Sequence, residues 1–413
     1  MHGKAELAAR SPVTMEGARF LVSEAGRRAL AAAAMRVAEA GRLDEFALVA
    51  QLRRAFDAER AAAIADVLKG RASLVGRHPR AAEMFATHVA AQQASSAPVA
   101  AWRARRFRDF GKAVDLTCGA GFDLVAMAGA TRSVGVDLDP VRLLFARANA
   151  ETIGVRLLGL VRGSATAFQG DFDAAFADPD RRTGSQRNID PERSEPPLAD
   201  LLAALKGRPL GVKLSPLTDP ARLESRGEVE FLSSQGELKE VVLWTGGLAS
   251  ACRRVSLPDV DFTMTGAPVD WPAPAVPSGY LYDPDPALLR SGLLGVVAKE
   301  HGLAPIDPSI AYFSGPDLLR HPALSAYRIL AVLGPSARSV RGFLAERGLG
   351  RIAILRRGFA VAPEDFLKAV ANPGSGSVHL HLTRVLGRPK VIATEIDAAE
   401  TAPPEQKTRC GVD

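Results

Sequence analysis

From Gly17 to Phe107 apolar residues return at three- and four-residue intervals, through Phe20, Leu21, Leu30, Met35 and Val37, in a background rich in Ala, Leu, Arg and Glu. That spacing lays side chains along one stripe of a helix and predicts a helical region. Further helices are expected over Leu43 to Leu68 and Pro79 to Phe107, with Pro79 in a first turn and Pro98 as an interruption. At Ala113 the pattern changes to short apolar runs separated by helical lengths: AVDLT, SVGVDL, RLLGLV, DAAFAD, PLGVKL and EVVLW. Strands alternating with helices predict right-handed crossovers and a mainly parallel sheet. Six prolines between Ala267 and Pro286 suggest a linker. A smaller α+β pattern follows, with a helix over Ser336 to Glu346, the strand RIAILRR, a helix opening at Pro363, and the strands SVHLHLT and PKVIAT. The expected division is a tail over 1–15, a helical region over 16–108, an α/β core over 109–266, a Pro-rich linker over 267–286, an α+β domain over 287–398 and a tail over 399–413.

Composition narrows the class. A chain of 413 residues exceeds what one hydrophobic core serves, and 47% hydrophobic with 24% charged residues excludes a fibre, a disordered chain or a membrane protein. No stretch reaches the apolar length of a membrane span, and the first twenty residues lack a signal-peptide core, so a cytoplasmic location is expected. Cys118, Cys252 and Cys410 are odd in number and far apart, which argues against a disulfide framework or a cysteine-held metal. No metal is expected.

The strongest motif is Asp115-Leu-Thr-Cys-Gly119-Ala-Gly121-Phe-Asp123, placed where a strand should end and a helix begin. Glycines there let the backbone turn tightly and approach a ligand closely. Asp115 stands four residues before the first glycine, a third glycine at the dinucleotide spacing is missing, and Asp137 ends the next strand. A pyrophosphate favours an uncluttered helix N-terminus, whereas a cofactor with an amino group is compatible with nearby carboxylates, so the pattern favours S-adenosylmethionine over NAD. Asp137 is placed to accept from the ribose hydroxyls. Asp139 before Pro140 reads as a helix cap, Cys118 as a small buried residue beside the loop, and Ser164 as the adenine-side contact. The fourth strand ends in Asp178-Pro179-Asp180-Arg181-Arg182, at the edge where ligands of open α/β sheets sit. Asp178, with Pro179, could accept from a target amine and orient its lone pair, making catalysis a matter of alignment. Arg181 and Arg182 could clamp phosphate or stack on a base, or else pair with the acidic stretch from Asp190 to Glu195. Lys213-Leu-Ser215-Pro216, ending the fifth strand, reads either as a substrate-positioning element or as a turn.

Taken in order, QASS at Gln93 to Ser96, DLTCGAGFD, VDLDP, DPDRR, KLSP and LWTGG resemble the bacterial class I methyltransferases that carry a C-terminal THUMP-like domain. The resemblance implies a Rossmann-like catalytic core with an N-terminal helical region and a C-terminal α+β THUMP-like domain similar to RNA-binding modules. It also implies that the QASS segment closes over the cofactor, which makes Gln93, Ser95 and Ser96 candidate contacts. Departures at Ser164 and Asp180-Arg181 leave the target atom open. Charge points towards RNA: Gly334 to Lys390 holds ten Lys or Arg against three Asp or Glu, a net +7 in a chain of net +6. Arg338, Arg341, Arg351, Arg356, Arg357, Arg384, Arg388 and Lys390 could track a phosphate backbone, and Arg103, Arg105, Arg106, Arg108 and Lys112 form a second basic cluster. The reading is a methyltransferase acting on RNA. The alternatives are a protein or small-molecule acceptor, or an RNA-binding protein that retains the fold without catalysis.

Overall fold

The computed structural model describes residues 13–39, 41, 45–183, 186–187 and 189–396. The expected tail over 1–15 meets a helix at Met15, capped by Thr14, which accepts from Gly17 N; the C-terminal tail and Leu43 lie outside the described residues.

The chain forms two compact units, one running to Val229 together with Glu240–Ser250, the other comprising Glu230–Lys239 and the chain from Ala251 onward. The first unit opens with α1 (Met15–Val22), α2 (Glu24–Glu39), α3 (Glu45–Leu52), α4 (Ala58–Leu74), α5 (His88–Gln93) and α6 (Ala97–Ala104). Leu21 and Leu30 pack with Ile64, Val67 and Leu68 of α4. Met35 is instead 66% exposed, because five residues beyond Leu30 it has turned about 140° around the helix. The helix expected over 43–68 is broken after Leu52, where Asp57 caps α4 by accepting from Arg60 N at 2.8 Å. Pro79 lies in no helix: residues 75–87 are irregular. Asn149 accepts from Phe85 N at 2.7 Å and donates to Phe85 O at 2.8 Å, so a side chain takes the bonds a helix would have used. Pro98, expected to interrupt a helix, sits in the first turn of α6, where its missing N–H costs nothing.

The first unit's sheet and its helices comprise β1 (Lys112–Asp115), α7 (Phe122–Ala128), β2 (Arg132–Asp137), α8 (Pro140–Ile153), β3 (Gly159–Arg162), β4 (Ala174–Ala177), the short hairpin β5 (Arg182–Thr183) and β6 (Gln186–Arg187), α9 (Leu198–Ala204) and β7 (Leu210–Leu214); β8 (Glu228–Ser234) passes into the second unit at Glu230, and β9 (Glu237–Thr245) returns to the first from Glu240. Within this unit the order is β9-β7-β4-β1-β2-β3, parallel except for β9, which pairs antiparallel with β7. β4 and β7 are buried along their whole length, as strands covered on both faces must be. The chain leaves β1 towards β2 and β3 and returns on its other side as β4, so the loops after β1 and β4 part at the carboxyl edge and leave a crevice between them.

The second unit holds the antiparallel hairpin of β10 (Arg253–Leu257) and β11 (Phe262–Gly266). It continues with β12 (Tyr280–Pro284), α10 (Pro286–Ser291), α11 (Leu294–Glu300), β13 (Ala304–Asp307), β14 (Ile310–Gly315), β15 (Leu324–Leu333), α12 (Ala337–Glu346), β16 (Leu349–Arg356), α13 (Pro363–Val370), β17 (Gly376–Val385) and β18 (Arg388–Ile396). Its seven-stranded sheet runs β13-β14-β12-β15-β18-β17-β16. β12 falls inside the stretch expected as a linker. Its Tyr280-Leu281-Tyr282 run falls in the gap between Pro277 and Pro284, where backbone donors are free to pair with β14 and β15, and Leu281 and Tyr282 are buried there. In β17 the alternation sends Val378, Leu380 and Leu382 into a core with Val340, Phe343 and Leu344 of α12 and Phe366 and Val370 of α13.

Candidate functional site

The glycine turn between β1 and α7 is fixed by side-chain bonds from two directions. Gly119 and Gly121 both have left-handed backbone, at φ 53° and 86°. A side chain at Gly121 would meet Ala146 of α8 at 2.9 Å, whereas one at Gly119 would meet nothing within 4 Å. The first glycine therefore borders open space and the second exists for packing. Asp137 accepts from Gly119 N at 2.9 Å and from Asp139 N at 2.8 Å, tying the turn to the end of β2. Asn149 donates to Ala120 O at 2.8 Å, so the same amide that interrupts helix formation at Phe85 also holds the loop.

Asp115 is buried and accepts from Thr117 N at 3.2 Å. Burial pushes its carboxyl well above the usual range, and nearby Asp123 adds to the effect. Burial also raises Asp137, opposed by Arg142 and the two backbone donors. Cys118 is buried with Leu124 and Leu143, and burial drives its thiol upward, the opposite of an activated nucleophile. Asp139 caps α8 through Val141 N at 2.8 Å. Ser164 follows β3 and meets Thr166 Oγ1 at 3.1 Å.

Across the crevice, Asp178 stands just past β4, its N–H donating to Thr117 Oγ1 at 2.6 Å. This joins the loop after β1 to the loop after β4. Lys213, in β7, donates to Asp178 Oδ2 at 2.6 Å and to Ser95 Oγ at 3.1 Å. Ser95 donates to Asp123 Oδ2 at 3.1 Å and accepts from Arg103 Nη2 at 2.8 Å. Arg103 pairs with Asp123 and with Glu240 of β9. Burial would push Asp123 upward, but Arg103, Lys213 and the Ser95 hydroxyl together hold it below the usual carboxylate range. Gln93 donates to Asp180 Oδ1 at 3.5 Å, Ser96 caps α6 without a side-chain bond, and Pro179 is buried. The QASS segment, the glycine loop and the ends of β4 and β7 thus meet at one edge.

Among the described residues Arg181 makes no ion pair; Asp190 and Glu192 are taken instead by Arg222 and Arg226, at 3.6 and 2.8 Å. Arg182 heads β5. The second basic cluster is corrected by the structure. Arg103 is 2% exposed and fully engaged, and Arg106 pairs with buried Glu228, because carboxylates inside the first unit must be neutralised. In the second unit Arg357 pairs with Asp283 at 2.6 Å and Arg384 stands 4.0 Å from Asp307, so each faces a carboxylate. Arg338, Arg341, Arg347, Arg351 and Arg388 are exposed.

Sequence reasoning missed Arg103, Asp123, Glu240 and Asn149 as parts of the site. One signal was available: Glu240 opens the otherwise apolar run EVVLW, and a carboxyl in a buried strand must either meet a cation or be held neutral.

Residues 324–395 match the family model described as THUMP domain-like. Over 306 residues, 72% of this chain and 84% of the relative, the sequence is 35% identical to an uncharacterized S-adenosylmethionine-dependent methyltransferase found in two strains of Mycobacterium tuberculosis. Among solved structures, a candidate methyltransferase from Porphyromonas gingivalis W83 superposes with a TM-score of 0.67 at 19% identity, over 83% of this chain and 92% of that one, a likeness of fold.

Proposed function

The chain belongs to the S-adenosylmethionine-dependent methyltransferases, and on that premise we propose that its methyl acceptor is RNA. S-adenosylmethionine, the cofactor, supplies an electrophilic methyl group when bound. The crevice suits such a ligand: room beside Gly119 admits it close to the backbone, and Asp115 and Asp137 bring acceptors to the ends of β1 and β2. In this reading Asp137 takes the ribose, Asp115 and the Gly119–Gly121 turn line the amino-acid end, and Ser164 lies on the adenine side. Gln93, Ser95 and Ser96 close the site from the helical region. Asp178 accepts from the acceptor amine beside Pro179, and Arg181 and Arg182 bind phosphate or stack on the base.

The observation that carries RNA is the charge of the THUMP-like unit. Its basic excess is confined to Gly334 to Lys390, and five of those arginines, Arg338, Arg341, Arg347, Arg351 and Arg388, are exposed. Exposed guanidinium groups suit a phosphate backbone, and the match to a THUMP-like model over the same residues agrees.

The test is transfer of labelled methyl from S-adenosylmethionine to total RNA from a strain lacking the protein, with Asp178→Ala as control. Label that enters RNA and disappears in the variant is the expected result. No label in RNA, despite calorimetric cofactor binding, would exclude RNA as the acceptor; undiminished label in the variant would remove Asp178 from the mechanism.

A further inference from the structure

Two polar groups at the reactive edge keep an unspent bonding position. Lys213 Nζ has three N–H donors, of which one goes to Asp178 Oδ2 and one to Ser95 Oγ. Among the described residues the third meets no acceptor. Asp178 takes Lys213 on Oδ2 and receives no bond on Oδ1 from the described residues. The lysine side chain is 7% exposed and the aspartate side chain 25%, so the pair is buried from the lysine end and opens at the carboxylate. A buried ammonium proton left without an acceptor is costly, and the position is one that water or a ligand atom must fill.

The charges of the pair cancel. What remains is one acceptor, Asp178 Oδ1, beside one donor, the third Lys213 N–H. Its complement is a neutral edge carrying an N–H next to a lone pair, which is the edge an exocyclic amine makes with the adjacent ring nitrogen of a nucleobase. We propose that Lys213 is a specificity-determining residue that reads the acceptor atom neighbouring the target amine, while Asp178 Oδ1 holds the amine itself. This rests on the assignment of Asp178 made above. The product is an N-methylated base: the amine nitrogen forms the new N–C bond, the C–S bond breaks with its electron pair left on sulfur, and the proton lost by nitrogen passes to Asp178 Oδ1 and then to water.

The first arm needs no acceptor. In sinefungin an amine-bearing carbon replaces the methylsulfonium, so an ammonium stands where the transferable methyl would, whereas S-adenosylhomocysteine carries no charge there. The ratio of their dissociation constants, measured by calorimetry, reports the charge facing the methyl. Lys213→Met should favour sinefungin at least fivefold, Asp178→Asn should disfavour it at least fivefold, and Lys213→Arg should stay within twofold of the parent protein. Unchanged ratios in both Lys213→Met and Asp178→Asn would overturn the proposal. Should Lys213→Met not fold, Asp178→Asn decides alone. In the second arm, nucleosides from the labelled total RNA are resolved by mass spectrometry. Label on an exocyclic base nitrogen supports the proposal, and a carbon-methylated base or a ribose O-methyl overturns it. Opposite shifts in the ratios with no label in RNA would support the pair and sink only the RNA reading; label in RNA with unmoved ratios would do the reverse.

Discussion

Gly121 and His381 show how much a single position can carry. At Gly121 the backbone is left-handed and Ala146 leaves no room for a Cβ. Gly121→Ala should therefore cost about 1–3 kcal/mol in stability, read by urea unfolding, and weaken S-adenosylmethionine binding measured by calorimetry. The conservative-looking Gly119→Ala meets only the backbone penalty, so its stability loss should be the smaller. His381 is fully buried between the rings of Tyr312 and Tyr327, with Nε2 against Thr394 Oγ1 at 3.0 Å and no partner on Nδ1 among the described residues. Burial, aided by His379 and Arg357, pushes its pKa down to about 3. The unfolded chain therefore binds the proton and the folded chain does not. The contribution is intact above the unfolded value near 6.5 and is lost as pH falls towards 3, amounting to about 2 kcal/mol at pH 5. Thermal melting between pH 7 and pH 5 should show this loss, and His381→Gln should flatten it. The alternation of SVHLHLT placed His381 on a strand, but only the cover supplied by Tyr312 and Tyr327 decided that it stays neutral.

At the level of elements, α6 is the informative case. Its sequence, with Arg103, Arg105, Arg106 and Arg108 in and just beyond it, reads as a basic surface, yet the helix turns Arg103 inward to Asp123, Glu240 and Ser95 and leaves Arg108 outside. Removing one partner of a buried ion pair strands the other charges, so Arg103→Met should destabilise by about 3–5 kcal/mol, while Arg108→Ala should change stability by about 0.5 kcal/mol or less. Chemical denaturation of the two variants side by side checks this, and comparable losses would refute the inward role of Arg103. The helices and strands themselves were mostly legible, because their apolar periodicity is a property of local sequence. Their ends were not: the break after Leu52, the irregular path through Pro79 and the strand β12 depend on Asp57, Asn149 and the neighbours β14 and β15.

For the whole molecule, RNA as the proposed acceptor carries a salt dependence set by the exposed arginines of the THUMP-like unit. If Arg338, Arg341, Arg351 and Arg388 each neutralise a phosphate, replacing all four with Ala should reduce the slope of log K for RNA against log salt by roughly 3, with little change in cofactor affinity. Filter binding of total RNA across a salt series measures the slope, and an unaltered slope would place the RNA contacts elsewhere. Among the described residues no helix is long and apolar enough to cross a membrane.

By itself the sequence determined that β1 ends in a glycine turn, that Asp115, Asp137 and Asp178 stand at the ends of β1, β2 and β4, and that an α+β unit with a basic excess follows. Each of these is written in local order, since periodicity, strand ends and turn residues concern neighbours in the chain. The tertiary structure alone decided which charges are free and which are spent. Lys213, Asp123, Glu240 and the Ser95–Arg103 stretch come from four separate segments, and their meeting at one edge follows from the sheet order β9-β7-β4-β1 and from α6 packing beside it. Burial makes every such charge find a partner, and which partner it finds is fixed by distances in the fold, on which spacing along the chain places no constraint.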